Sequence, residues 1–375
     1  MHFKNDDYER REYLSSAEVS RYLGISVRRL HELISLNILH AFRASSGQYR
    51  FSFSEVSRVK KSIFPSGSVP GVFCHDTSID INGTDQRVLL GNAQRMSEIE
   101  NDSVHLIITS PPYLDAKMYT SREKVGNLGD IHDFECWMVE ISKVWKECFR
   151  VLQPGRKAFV NVMNLPVRGK EGFRSINIAG RTIDAMEKLG FTFRREIIWQ
   201  KTNSVRAHFG TYPYPGNILL NFSHEFILEF EKPAPRNIRK YAHLSREQKE
   251  ASRIEKEFWL AIKRSDVWLM APEGSGDRRT HPSPFPYELP YRLIRAYSYR
   301  GERVLDPFLG SGTTLMAAAD LGRNGIGYEI VEEIAYEAVK RIRLHSDGVD
   351  REGRRSALRN ERYLAAPKRT QKTVK

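Results

Sequence analysis

The chain has 375 residues of which 40% are apolar, which suits two domains with real cores at about 100–200 residues per domain. A mean hydropathy of −0.50, and no apolar run near the roughly 20 residues that span a bilayer, argue against a membrane protein. The polar, mixed-charge start is not a secretory signal. A formal charge of +13 and a pI near 9.6 point to a polyanionic partner, because each neutralised phosphate releases condensed counterions.

Cys74, Cys136 and Cys148 are too few and too scattered for a disulfide framework or a zinc site. The expected location is cytoplasmic. Residues 346–375 form a basic tail, with nine Lys and Arg from Arg351 onward against Glu352 and Glu361, and are expected to be disordered. Without the tail the chain is still net positive.

Residues 1–64 read as a separate module. Ser15-Ser16 caps a short helix running to about Tyr22, Leu23-Gly24-Ile25-Ser26 makes a tight turn, and a second helix is expected from Val27 to Leu36. Val19, Tyr22, Leu23, Ile25, Leu30 and Ile34 would bury one side of each helix against the other. Arg28, Arg29 and His31 then face outward, where a recognition helix presents donors to the major groove. A hairpin-like turn through Ser45–Phe51, carrying Arg50, precedes a helix beginning near Phe53. The module resembles MerR/excisionase-type winged helices, which implies DNA binding. Residues 65–85, rich in Pro, Gly, Ser and Asp, read as a linker.

From residue 86 to 345 apolar strands alternate with amphipathic helices, the pattern of an α/β domain with a mainly parallel sheet. Strands are expected at Arg87–Leu90, His105–Thr109, Ala158–Val162 and Phe193–Gln200, the last with a hairpin partner at Glu225–Phe230. Helices are expected at Ala93–Ile99, Asp130–Leu152 and Ile176–Leu189, and a charged helix from about Arg246. His224-Glu225 is read as structural, and no metal-ligand cluster stands out, His281 being isolated.

Two segments carry the chemistry. The strand at His105–Thr109 ends in Ser110-Pro111-Pro112-Tyr113. The strand Val304-Leu305 ends in Asp306-Pro307-Phe308-Leu309-Gly310-Ser311-Gly312-Thr313-Thr314, a Gly-x-Gly turn into an alanine-rich helix, where the backbone can approach a ligand. The next strand ends in Glu329, placed to accept hydrogen bonds from ribose hydroxyls. No Walker lysine is present, which suits a nucleoside cofactor bound without phosphate recognition.

Together these motifs resemble the N4/N6 amino-methyltransferases of DNA over roughly Val88 to Leu344. His281–Pro286, Ile197–Lys201 and Tyr212–Pro215 match as well. The catalytic tetrapeptide precedes the cofactor loop, as in the permuted β-type order. The resemblance implies a Rossmann-like, circularly permuted methyltransferase fold with S-adenosylmethionine as cofactor. Asp306, Phe308, Gly310, Gly312, Thr313 and Glu329 would bind that cofactor, with Ser283 and Asn92. Asn92 stands where the family usually has an acidic residue reading the adenine amino group, and its amide oxygen can still accept that bond.

Ser110, Pro111, Pro112 and Tyr113 are the expected catalytic residues. An exocyclic amine is a poor nucleophile, and acceptors at the Ser110 hydroxyl and the Pro111 carbonyl would expose its lone pair. The Ser-Pro-Pro-Tyr form looks like the N4-cytosine subgroup. N6-adenine methylation and a DNA-binding regulator with an inactive catalytic domain are the alternatives. Arg236, Arg239 and Lys240, in an insertion at about 202–280, are the expected target-recognition contacts. Double-stranded DNA is the expected partner, with a companion restriction endonuclease and a homodimer left open.

Overall fold

In a computed structural model, the residues described are 13–23, 30, 34, 39–43, 49–63, 75–113, 127–169, 172–205, 220–236, 240–272 and 285–346. The chain divides into two units, Met1–His75 and Asp76–Lys375.

The first unit contains β1 (Tyr13–Ser15), α1 (Ser16–Leu23), β2 (Phe42–Arg43), β3 (Tyr49–Ser52) and α2 (Phe53–Ile63). Helix α1 starts where expected. The Glu18 carboxylate accepts from the Ser15 backbone N–H at 2.8 Å and from its hydroxyl at 2.7 Å, satisfying a donor that a helix start otherwise leaves unpaired. Leu14, Val19, Leu30, Leu39, Phe51 and Val56 form the core. Strand β1 was not anticipated. It exists because Leu14 is buried opposite Phe51 in a three-stranded antiparallel sheet ordered β1-β3-β2. Of the expected second helix only Leu30 and Ile34 are described, both helical; the rest lies outside the described residues.

The second unit is built on a nine-stranded sheet. Its strands are β4 (His75–Ile81), β5 (Thr84–Leu90), β6 (Val104–Thr109), β7 (Leu152–Val162), β10 (Thr192–Val205), β11 (Phe222–Glu231), β12 (Val267–Met270), β13 (Arg303–Asp306) and β14 (Asn324–Glu329). Their order is β12-β10-β11-β7-β6-β13-β14-β5-β4. A separate hairpin pairs β8 (Leu165–Gly169) with β9 (Gly172–Ile176). The main helices are α3 (Phe134–Val151), α4 (Ile178–Lys188), α5 (Arg246–Ala251), α6 (Lys256–Arg264), α7 (Glu288–Tyr297), α8 (Thr313–Asp320) and α9 (Glu332–Ser346).

Both faces of this sheet are covered. Ile107, Ala158, Val160, Leu305 and Ile326 pack with Trp137, Ile141, Val144 and Trp145 of α3 on one face. Leu106, Ile108, Phe159 and Val304 pack with Leu289, Leu293 and Ile294 of α7 and Ala317 and Ala318 of α8 on the other. Consecutive strand residues point to opposite faces, so burial on both sides produces the continuous apolar runs seen in β6 and β13. Helix α8 is buried along most of its length, which its small alanines permit. Gly325 lets strand and helix approach this closely. A Cβ there would come within 2.8 Å of the Leu315 Cγ and collide with the Gln86 side chain.

Four expectations need correction or restriction. Residues 75–85, placed in the linker, form β4 and the turn into β5. Asn82 and Gly83 have φ of 53° and 75°, the geometry a two-residue hairpin demands, and Ile79 and Ile81 are buried. Residues 93–99 form turns rather than a helix. Asn92 Oδ1 accepts the Gln94 N–H at 2.9 Å, and Arg150 takes the Met96 and Ile99 carbonyls at 2.7 and 2.9 Å. The interval 202–280 is not one insertion, since it contains β11, a strand flanked on both sides, and β12 at the sheet edge. The tail from residue 347 lies outside the described residues.

Candidate active site

Strands β13 and β6 are parallel neighbours, with Val304 opposite Leu106. From β13 the sheet continues to β14 and β5; from β6 it continues to β7. The connections therefore diverge between β13 and β6, and the loops leaving their carboxyl ends open a crevice. In open α/β sheets such a switch point is where ligands bind. Both motifs leave their strands there.

A cleft open to solvent lies at this point. It is lined by Ser110, Pro111, Pro112 and Tyr113 from the loop after β6 and by Pro307, Phe308, Leu309, Gly310, Ser311 and Thr313 from the loop after β13. Gly91, Asn92, Glu329, Ile330 and Ile334 complete the lining. The structure thus brings together all four expected catalytic residues and five of the expected cofactor residues, Phe308, Gly310, Thr313, Glu329 and Asn92.

Two expected cofactor residues do not line the cleft. Asp306 is fully buried, beneath the turn. Its Oδ1 accepts from the Thr109 hydroxyl at 2.7 Å and the Phe308 N–H at 3.1 Å, and its Oδ2 from the Thr314 hydroxyl at 2.6 Å. It ties the end of β6 to the turn and to the start of α8. Burial pushes its carboxyl up to about 6, against the three hydrogen bonds, which favour the ionised form. Gly312 sits at φ 84° immediately before α8, a conformation that favours glycine, with Ile342 packed against its missing side chain.

The cleft suits S-adenosylmethionine. Glu329 accepts from the Gly310 and Val331 N–H groups at 3.1 and 2.9 Å. These bonds fix its plane, and a carboxylate offers about four lone-pair sites, so it can also take the hydroxyls of a ribose. Phe308, Leu309, Ile330 and Ile334 provide apolar walls for a purine. Asn92 lines the cleft, its Oδ1 accepting the Gln94 N–H and its Nδ2 donating to the Gln94 side chain.

The loop after β6 carries the acceptors. The Ser110 hydroxyl donates to the Asn161 carbonyl at 3.1 Å. Tyr113 is 8% exposed, and its hydroxyl donates to Glu225 Oε2 at 3.3 Å. Glu225 also takes the Asn161 amide at 2.6 Å and the Lys201 ammonium at 2.6 Å. Sequence reading assigned Glu225 only a structural place and did not single out Asn161. The available signal was the set of three glutamates, Glu225, Glu229 and Glu231, in a strand whose other residues are largely apolar, since buried charges are paired.

The remaining expected contacts fare differently. Arg28, Arg29, His31, Arg239 and Ser283 lie outside the described residues. Arg50 is half-buried on β3, opposite Ser15. Arg236 is exposed in the turn after β11. Lys240 pairs with Glu231 at 2.6 Å and packs on Gly155. Glu231 lies opposite Lys157, which in turn lies opposite Leu106, near the start of β6. Lys240 therefore stands at the amino edge of the parallel strands, whereas the cleft opens at their carboxyl edge.

His105, His243 and Glu302 also converge at that amino edge. Glu302 accepts from Arg156, from His243 and from the Tyr299 N–H, and His105 Nδ1 accepts the Arg303 N–H at 3.1 Å.

Comparison with known families settles the class of the large unit. The family model for DNA methylases of the N6/N4 type matches residues 104–340. The chain belongs to the N6/N4 DNA methylase family. A helix-turn-helix domain model matches residues 13–62, so this methylase carries a helix-turn-helix module ahead of its catalytic unit. Among its relatives is the Type II methyltransferase M.MjaI of Methanocaldococcus jannaschii, 36% identical over 280 residues, covering 68% of this chain and 89% of that protein. The Type II methyltransferase M.MthZI of Methanothermobacter thermautotrophicus is 33% identical over 266 residues, covering 66% and 73%. A Thermus thermophilus protein assigned to the DNA modification methylases, solved in complex with S-adenosyl-L-methionine, superposes with a TM-score of 0.55 at 32% identity, covering 70% of this methylase and 95% of that chain.

Proposed function

We propose that this protein is a Type II DNA methyltransferase that transfers a methyl group from S-adenosylmethionine to N4 of cytosine in double-stranded DNA. The observation that carries the reading is one cleft lined both by the Ser110–Tyr113 loop and by the Phe308–Thr313 turn with Glu329. Type II relatives at 36% and 33% identity support the reaction class.

The chemistry follows from the walls. S-adenosylmethionine, when bound, supplies an electrophilic methyl carbon on a sulfonium; as the N–C bond forms the S–CH3 bond breaks, S-adenosylhomocysteine leaves, and the base nitrogen releases one amino proton to solvent. Ser110 uses its own proton on Asn161, so its lone pairs are turned outward to accept from the amino group. The Pro111 carbonyl is a second acceptor, and the two prolines bring no competing N–H. Drawing both amino protons toward acceptors localises the nitrogen lone pair. Holding the reacting groups in line can account for roughly 7–11 kcal/mol of the barrier. A paired base cannot reach this cleft, so the target flips out at a cost of a few kcal/mol. Stacking on Tyr113 returns about 1–3 kcal/mol of it.

Mass spectrometry of nucleosides from DNA incubated with protein and S-adenosylmethionine tests the reading. N4-methylcytosine is expected. N6-methyladenine would keep the architecture and overturn the reading of Ser110, and no methylated base would reject it altogether.

The front module is proposed to add DNA affinity. Removing residues 1–65 spares β4 and should weaken DNA binding several-fold while single-turnover methylation at saturating DNA is retained. Unchanged DNA affinity and site choice in the truncated protein would reject that role.

A further inference from the structure

We infer that Glu225 is a positioning residue for methyl transfer, fixing both the stacking tyrosine and the serine acceptor through one buried carboxylate. The inference rests on the reading of Ser110 and Tyr113 as the residues that hold the target base.

Strand β11 carries three buried glutamates, Glu225, Glu229 and Glu231. Glu229 and Glu231 lie opposite Phe159 and Lys157, in the middle of β7. Their ion pairs are with Lys157, Arg194, Arg195 and Lys240. Those pairings neutralise charge and need no further explanation. Glu225 stands at the other end of the strand, beside the cleft loop, and its partners differ in kind.

Lys201 on β10 takes Glu225 Oε1 at 2.6 Å, which already neutralises the carboxylate. Oε2 goes to the Asn161 amide on β7 at 2.6 Å and to the Tyr113 hydroxyl at 3.3 Å. The Asn161 backbone carbonyl in turn receives the Ser110 hydroxyl at 3.1 Å. Glu225 is 6% and Asn161 3% exposed, so little water competes for these bonds. One carboxylate therefore sets the Tyr113 ring directly. Through Asn161 it also steadies the carbonyl that orients the Ser110 lone pairs. A fixed polar shell of this kind holds reacting groups to the small tolerance that catalysis requires.

Glu225→Gln tests this, because an amide of the same shape has one accepting oxygen for three donors. The single-turnover methylation rate should fall at least tenfold. KM for DNA and affinity for S-adenosylmethionine should stay within twofold, because the bonds of Glu225 go to Lys201, Asn161 and Tyr113 and not to the Phe308–Thr313 turn or Glu329. Tyr113→Phe, which removes one hydroxyl from the same network, should slow the step three- to tenfold without lowering the melting temperature. The double variant should be no more than twofold slower than Glu225→Gln alone, since both remove one contact.

Wild-type rates in either single variant, or independent losses that multiply in the double variant, would overturn the inference. So would a Glu225→Gln protein whose cofactor affinity and melting temperature fall in step with its rate, the signature of a merely structural residue. A wild-type protein that methylates neither cytosine nor adenine would overturn the underlying reading of the cleft, and the inference with it. A wild-type protein that methylates DNA while Glu225→Gln does so equally fast would overturn the inference alone.

Discussion

Replacing Tyr113 with alanine is expected to slow methyl transfer by roughly a hundredfold while leaving affinity for S-adenosylmethionine within twofold. Tyr113 lines the same cleft as Phe308 and Glu329, and under the proposed function its ring serves the target base rather than the cofactor. Loss of stacking removes about 1–3 kcal/mol that offsets base flipping. The deleted hydroxyl also takes a donor away from Glu225, which loosens the loop carrying Ser110. Single-turnover rates measured beside equilibrium cofactor binding separate the two walls. A parallel loss of cofactor affinity would mean that Tyr113 supports the whole cleft.

Asp306→Ala should produce the opposite pattern, lowering cofactor affinity at least tenfold together with thermal stability. The residue touches no cleft surface, yet three donors converge on it, from Thr109, Thr314 and Phe308. Alanine strands these buried groups, at about 1–3 kcal/mol each where no new partner forms, and frees the turn that presents Phe308 and Gly310. Calorimetric titration with S-adenosylmethionine would decide it; wild-type affinity in Asp306→Ala would reject this role.

The same residue carries a pH signature. Its folded value of about 6 lies above the ordinary 3.8 because burial disfavours the ionised form. The folded state therefore binds the proton more tightly than the unfolded state. The resulting stabilisation is fully present below about pH 4 and is lost as pH rises through about 6. It amounts to at most roughly 3 kcal/mol. Asp306→Asn cannot ionise, so wild-type stability relative to Asp306→Asn should decline across that window in denaturant titrations. A constant difference between pH 4 and pH 7 would contradict it.

Much of the fold could be read from local pattern. The apolar runs of β6 and β13, the amphipathic period of α3 and the glycines before α8 each state a local requirement. A strand buried on both faces must be apolar throughout, and a turn at φ 84° favours glycine. Where several local signals were compatible with a sequence, reading failed. Ala93–Ile99 has helical composition, but Arg150, distant in the chain, takes the carbonyls a helix would use. Asn82-Gly83 was a hairpin signal hidden in a polar stretch.

For the site, the sequence alone determined the chemical inventory: Ser110–Tyr113, the Asp306–Thr314 turn and Glu329, each at the end of an apolar strand. Their spacing requires only local geometry, so it survives in the linear chain. Tertiary structure alone decided which of them meet. Sheet order makes β6 and β13 neighbours although about 200 residues separate them. It places Asp306 beneath the cleft and leaves Lys240 at the far edge. It also brings Glu225, Asn161 and Lys201 under the catalytic loop. Contacts between strands distant in sequence depend on register and sheet order, which no local period encodes.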